Sequence, residues 1–153
     1  MICLRLIFLF VPFVAYSQHT DIVTLTAQKL VLKAGDIKKV KIAIRVKDGF
    51  HIQANKLTDE SLIPTTLMID STEGILPGKS TYPPAKKYKL EGTDTFLDVY
   101  DGNVEILVPV RATKEIRPGV HHLNTVLRYQ ACDAKRCFFP RSLEFTIFIE
   151  VMR

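Results

Sequence analysis

Period-two alternation of apolar and charged residues constrains this chain more than any other feature. From Val40 the sequence reads VKIAIRVK: Val40, Ile42, Ile44 and Val46 share one face, and Lys41, Arg45 and Lys47 share the other, as expected of a strand with one face buried. The pattern recurs in NVEILVPV through Val104, Ile106, Val108 and Val110, and in SLEFTIFIEV through Leu143, Phe145, Ile147, Ile149 and Val151. LNTVLRYQA alternates through Leu123, Thr125, Leu127, Tyr129 and Ala131, and IVTLTA, KLVLK, TTLMID and TFLDVY are shorter candidates. Turn signals separate them: KAGD, KDG, LPGK, YPP, YDGN and RPG. No eight-residue stretch keeps a helical period without a Gly or Pro breaking it. Seven or eight short, turn-bounded strands predict an all-β fold, an immunoglobulin-like antiparallel β-sandwich. Pro109 interrupts a strong strand and predicts an edge position or a bulge there. The stretch from Thr58 to Leu97 is less regular, and irregular loops on a rigid scaffold often carry function.

The N-terminus reads as an address. MICLRLIFLFVPFVAYSQ carries Arg5, an apolar run from Leu6 to Val14, and small residues at Ala15 and Ser17, the three parts of a secretory signal peptide. Residues 1–17 are expected to be removed, leaving one domain over residues 18–153. The apolar run is too short to span a bilayer, which takes about 20 residues. Cys3 precedes that run, too near the start for a lipoprotein attachment cysteine, and leaves with the signal. Without Arg5, 20 basic residues face 16 acidic ones, a net charge of +4. That excess is mild and dispersed, so no nucleic-acid partner is expected. No other segment is long and apolar enough to cross a membrane, so the mature chain is expected to be exported and soluble.

Two cysteines then remain, Cys132 and Cys137, in a compartment where disulfides persist. They lie in YQACDAKRCFFPR, at a hairpin-like connection where a bridge is geometrically plausible. As a staple, a ring of about six residues contributes only roughly 2 kcal/mol through chain entropy. As half of a zinc site, the pair needs ligands. The nearest histidines, His121 and His122, begin the strand that ends at Ala131, about 30 Å away. No metal and no cofactor are expected. As a redox dithiol, the pair has Lys135, Arg136 and Arg141 nearby to favour a thiolate, offset in part by Asp133. There is no C-x-x-C, so the chain is not itself a thioredoxin-type oxidoreductase. On these grounds the structural and redox readings stand level.

YQACDAKRCFFPR resembles the cysteine motif of the N-terminal periplasmic domain of the thiol:disulfide interchange protein DsbD. GFHIQAN, IPTTLMID, PGKSTYPP and VYDGNVEILVPV agree as well, in the family's order and over nearly all of the mature chain. The resemblance implies an immunoglobulin-like sandwich and makes Cys132 and Cys137 an exchanging pair, without saying which is attacked first. It implies thioredoxin-fold partners: a membrane reductase's thioredoxin-like domain on one side, and a disulfide isomerase or cytochrome c maturation thioredoxin on the other. It implies a protein-disulfide reductase type of component, here carried by a chain without the membrane-embedded and thioredoxin-like domains. The family shields its pair with a cap loop, which the resemblance maps to TEGILPGKSTYPP. Ile75, Leu76 and Pro77 would form the lid, with Tyr82 and Tyr129 packed on the pair. The competing expectation is an immunoglobulin-like interaction module with an inert local disulfide.

Overall fold

A computed structural model describes residues 21–57 and 59–153; the expected signal peptide, residues 1–17, lies outside them. Among the described residues every regular element is a strand. In chain order these are β1 Val23–Ala27, β2 Leu30–Lys33, β3 Ile37–Val46, β4 His51–Gln53, β5 Thr66–Ile69 and β6 Ile75–Pro77, then β7 Lys86–Lys89, β8 Phe96–Tyr100, β9 Asn103–Ala112, β10 Gly119–Tyr129, β11 Ala131–Cys132 and β12 Arg141–Met152. No helix among them is long and apolar enough to cross a membrane.

Two four-stranded sheets make the body, in the orders β1-β3-β9-β6 and β2-β12-β10-β5, and a third, smaller sheet, β11-β4-β8-β7, carries the cysteines. The alternating residues do what their period demands. Val40, Ile42 and Ile44 stand opposite Val108, Ile106 and Val104 along the β3–β9 ladder, and with Val46 and Val110 they all lie within the core. Leu123, Leu127 and Tyr129 of β10 and Ile147, Ile149 and Val151 of β12 bring the second sheet onto that core. Burying two such inner faces against each other is what drives a sandwich together. The architecture is an immunoglobulin-like β-sandwich. It departs from pure antiparallel pairing in one place: β2 runs parallel to β12, Leu30 beside Ile149. Outward-facing charges pair across strands, as in Lys41–Glu105 at 2.8 Å and Lys87–Asp98 at 2.7 Å.

Pro109 lies on an interior strand, flanked by β3 and β6. Its missing N–H is accommodated by the neighbour. β6 stops at Pro77, the chain resumes contact with β9 at Thr81, opposite Leu107, and Gly78–Ser80 bow out between. Gly78 still donates its N–H to the Pro109 carbonyl at 2.7 Å. That close approach is why a glycine stands there: a Cβ on Gly78 would meet Pro109 Cγ at 2.9 Å.

Four strands escape the alternation rule. β4 is three residues, all buried; β6 ends in a proline; β7 is KKYK; and β11 is two residues long. Three of these four belong to the sheet that holds the cysteines.

Candidate functional site

The site is built where the chain changes sheets. β10 holds the second sheet as far as Tyr129, opposite Arg141, and two residues later Ala131 pairs with Ile52 in the small sheet. Gln130 sits at the switch and ties three segments together. Its Oε1 accepts the Ile63 N–H at 2.8 Å, its Nε2 donates to the Phe138 carbonyl at 3.1 Å, and its own carbonyl accepts the Gln53 N–H at 3.0 Å. On the other side of β4, a turn closed by the Phe50 N–H on the Lys47 carbonyl delivers His51 into the sheet. Gly49 takes φ 82° there, a left-handed conformation that glycine adopts without cost.

Cys132 and Cys137 form a disulfide across a tight turn, five positions apart, with Cα atoms 3.9 Å from each other. Asp133 shapes that turn. Its Oδ1 accepts the N–H groups of Lys135 at 2.8 Å and Arg136 at 2.9 Å, and its N–H reaches the Arg136 carbonyl. Those two backbone bonds hold the Asp133 carboxyl below the ordinary carboxylate value. The turn closes with the Phe138 N–H on the Ala131 carbonyl at 2.8 Å.

The two sulfurs occupy different surroundings. Cys132 is wholly buried, whereas Cys137 is partly exposed. Cys137 opens onto a hollow it shares with Gln130, Arg136, Phe138, Phe139 and Pro140. Phe139 is 92% exposed there, and the Arg136 guanidinium lies 5.2 Å over the Phe138 ring. Arg136 also approaches Asp133, 3.9 Å from Oδ2, so part of the positive charge expected beside the thiols is already engaged.

Beneath the bridge lies a small buried face of the third sheet, formed by Cys132, His51, Gln53, Leu97 and Val99. Gln53 donates Nε2–H to Cys132 Sγ at 3.0 Å and lies 3.7 Å from Cys137 Sγ. His51 stands directly opposite Cys132 in the ladder, and Tyr88 from β7 stacks on its ring at 4.1 Å. Burial pushes the His51 pKa down, and the charges of Asp101 and Asp133 only partly restore it. The imidazole is therefore neutral at pH 7.

The expected lid is elsewhere. Ile75, Leu76 and Pro77 form β6, an edge strand on β9, with Ile75 fully buried in the core opposite Ala112. β9 leads away from the site: it starts at Asn103, beside the Asp101 that acts on His51, and its 10 residues span about 30 Å before reaching Ala112. The tripeptide is thus an edge strand that anchors in the core through Ile75, while Leu76 stays exposed. The Tyr82 hydroxyl is engaged by β5, accepting the Leu67 N–H at 2.9 Å, and burial raises its pKa. Tyr129 is a core residue. The aromatic over this face is Tyr88, on the β7–β8 hairpin.

His121 and His122 sit at the far end of β10 from Tyr129. His121 Nε2 lies 2.9 Å from the Arg117 carbonyl, and His122 packs edge-on against Phe148. Among the described residues no group of three His, Cys, Asp or Glu side chains could hold a metal ion.

Residues 21–148 match the family described as thiol:disulfide interchange protein DsbD, N-terminal. The chain belongs to that family. No curated protein matches it significantly. The N-terminal periplasmic domain of ScsB from Proteus mirabilis shares its fold, at TM-score 0.56 and 12% identity, over 88% of this chain and 49% of that one. Two structures from Neisseria meningitidis are also similar, each at 19% identity. The reduced DsbD N-terminal domain has TM-score 0.47 over 77% of this chain and 79% of its own. The DsbD N-terminal domain in complex with the PilB N-terminal domain has TM-score 0.48 over 80% of each chain.

The sequence of this DsbD-type domain pointed to both cysteines and Asp133 as candidates but to no role for Gln53, His51, Tyr88 or Gln130. The available signal was polar residues at alternate positions in a short apolar segment, His51 and Gln53 flanking Ile52, directly after a D-G turn.

Proposed function

We propose that this chain is a periplasmic thiol–disulfide exchange module working through Cys132 and Cys137 with thioredoxin-fold partners. The observation that carries the reading is the asymmetry of the bridge: one sulfur is sealed in and the other faces an apolar hollow rimmed by Phe138, Phe139 and Pro140. Exchange proceeds by in-line attack on one accessible sulfur, with the other leaving. On this geometry a partner thiolate attacks Cys137 Sγ, the Cys132–Cys137 bond breaks, and Cys132 departs as a thiolate with the bonding pair. The partner's second thiolate then attacks the partner sulfur of the mixed disulfide and frees Cys137. Two electrons have moved to this chain, the partner holds a disulfide, and two protons complete the dithiol. The reverse sequence uses the same atoms to reduce a partner.

Family membership supports the exchange chemistry and the choice of partner, as does the complex of a related N-terminal domain with PilB. The signal-like segment and the periplasmic ScsB domain support the location. The ring is too short to matter much as a staple, which favours a working bridge over an inert one.

A Cys132→Ser variant leaves Cys137 as the accessible thiol and should trap thioredoxin-fold partners from cell-envelope extracts as mixed disulfides, whereas Cys137→Ser should trap few. Equilibration against glutathione tests the pair itself. A potential well below about −300 mV, with no exchange against thioredoxin, would return the bridge to the structural class and the chain to an interaction module.

A further inference from the structure

We propose that Gln53 is a catalytic residue of this exchange: its Nε2–H stabilises the thiolate that Cys132 becomes when the bridge opens, and its carboxamide favours the dithiol over the disulfide. The inference rests on the exchange reading above and adds to it the group that receives the leaving sulfur.

The need comes from burial. Cys132 has no exposed surface, and a thiolate expelled there cannot be solvated by water. An ion generated in an apolar site without a donor carries a heavy desolvation penalty. Charge-assisted hydrogen bonds aimed in advance at the developing charge offset it, as backbone donors do for an oxyanion. Gln53 Nε2 already stands 3.0 Å from the sulfur that would carry the charge. The side chain springs from a backbone held on both sides, its N–H on the Gln130 carbonyl and its carbonyl on the Thr65 hydroxyl at 2.5 Å. Little reorganisation is needed when the bond breaks.

The second observation is the other end of the same amide. Gln53 is fully buried, and its Oε1 has no hydrogen-bond partner. Most buried polar atoms find one, and leaving an acceptor unpaired costs free energy. A disulfide cannot help, because its sulfurs only accept. Reduction creates two S–H groups within reach of one amide, and a thiol both donates and accepts weakly. Rotation about the terminal torsion, which is broad for glutamine, lets Oε1 accept from the Cys132 thiol. The oxidised site thus leaves Gln53 Oε1 without a donor, and the reduced site supplies one.

The test uses the full mature chain and Gln53→Met, which keeps volume and removes both polar atoms. Two measurements are made: the rate at which dithiothreitol and reduced thioredoxin open the bridge, and the equilibrium against dithiothreitol. The expected result is opening at least 10-fold slower than wild type. The equilibrium should move toward the disulfide by about 10-fold, which is about 30 mV more negative for a two-electron couple. The oxidised form should melt no lower than wild type, since an unpaired acceptor has been removed. Gln53→Asn, which retains the amide one methylene short, should lie between, and it serves in place of Gln53→Met if that variant fails to fold. Unchanged opening rates and an unchanged equilibrium in a folded variant overturn the proposal, as does equal destabilisation of both redox forms. If wild type reacts with dithiothreitol but not with thioredoxin, the exchange reading falls, and the dithiothreitol data still decide the role of Gln53.

Discussion

Two side chains near the bridge act through different physics and are separable by experiment. His51 is a buried, neutral imidazole packed between Tyr88 and the bridge, with Asp101 and Asp133 as the charges acting on it. Its folded pKa lies below the ordinary 6.5, so between those values the unfolded chain binds more protons than the folded one, and stability rises with pH. The stabilisation is complete above about pH 6.5 and is lost as pH falls through that value toward the lowered folded one. Urea midpoints should therefore decline from pH 7.5 to 5.5 in wild type and decline less in His51→Phe, which keeps the ring stacked on Tyr88. Phe139 is a different case. At 92% exposure it contributes almost nothing to folding, and large exposed aromatics beside a reactive atom are typical binding anchors. Phe139→Ala should leave the melting temperature within about 1 °C while weakening partner capture by Cys132→Ser about 10-fold, measured as mixed-disulfide yield.

At the scale of elements, legibility followed length and regularity. β3, β9, β10 and β12 could be read directly because each spans ten or more residues with one face in the core. β4 and β11 are too short to establish a period, and β7 shows only one apolar residue in four. Since those strands frame the cysteines, the fold was readable in the sequence while the immediate surroundings of the site were not. The lid that the resemblance maps onto Ile75–Pro77 falls instead on β6, where Pro77 and Gly78 serve the Pro109 gap in β9. That gap makes a quantitative claim. Gly78→Ala places a Cβ at 2.9 Å from Pro109 Cγ and 3.4 Å from its carbonyl, and overpacking of this kind costs about 1–3 kcal/mol. Chemical denaturation should show that loss, and most of it should vanish in a Pro109→Ala background, a coupling expected only of residues in contact.

For the whole molecule, the body of the sandwich holds most of the apolar core, and the bridge closes only a small ring. The double variant Cys132→Ser/Cys137→Ser should therefore unfold in a single cooperative step, about 2 kcal/mol less stable than the oxidised chain, or roughly 5–10 °C lower in melting temperature. A much larger loss would mean that the pair holds the domain together.

The change of sheets at Gln130 has a mechanical corollary. Tyr129 ends the long ladder of the body, and the cysteine turn hangs from the next sheet behind a single residue whose side-chain bonds to Ile63 and Phe138 hold the junction. Opening the bridge can loosen residues 131–138 without pulling on β10 or β12. Deuterium uptake should consequently rise on reduction in that turn alone, with the amides of Leu123–Leu127 and Ile147–Val151 protected alike in both states. The domain would then act as a rigid handle on a small moving latch, cycling many times without risking its own unfolding.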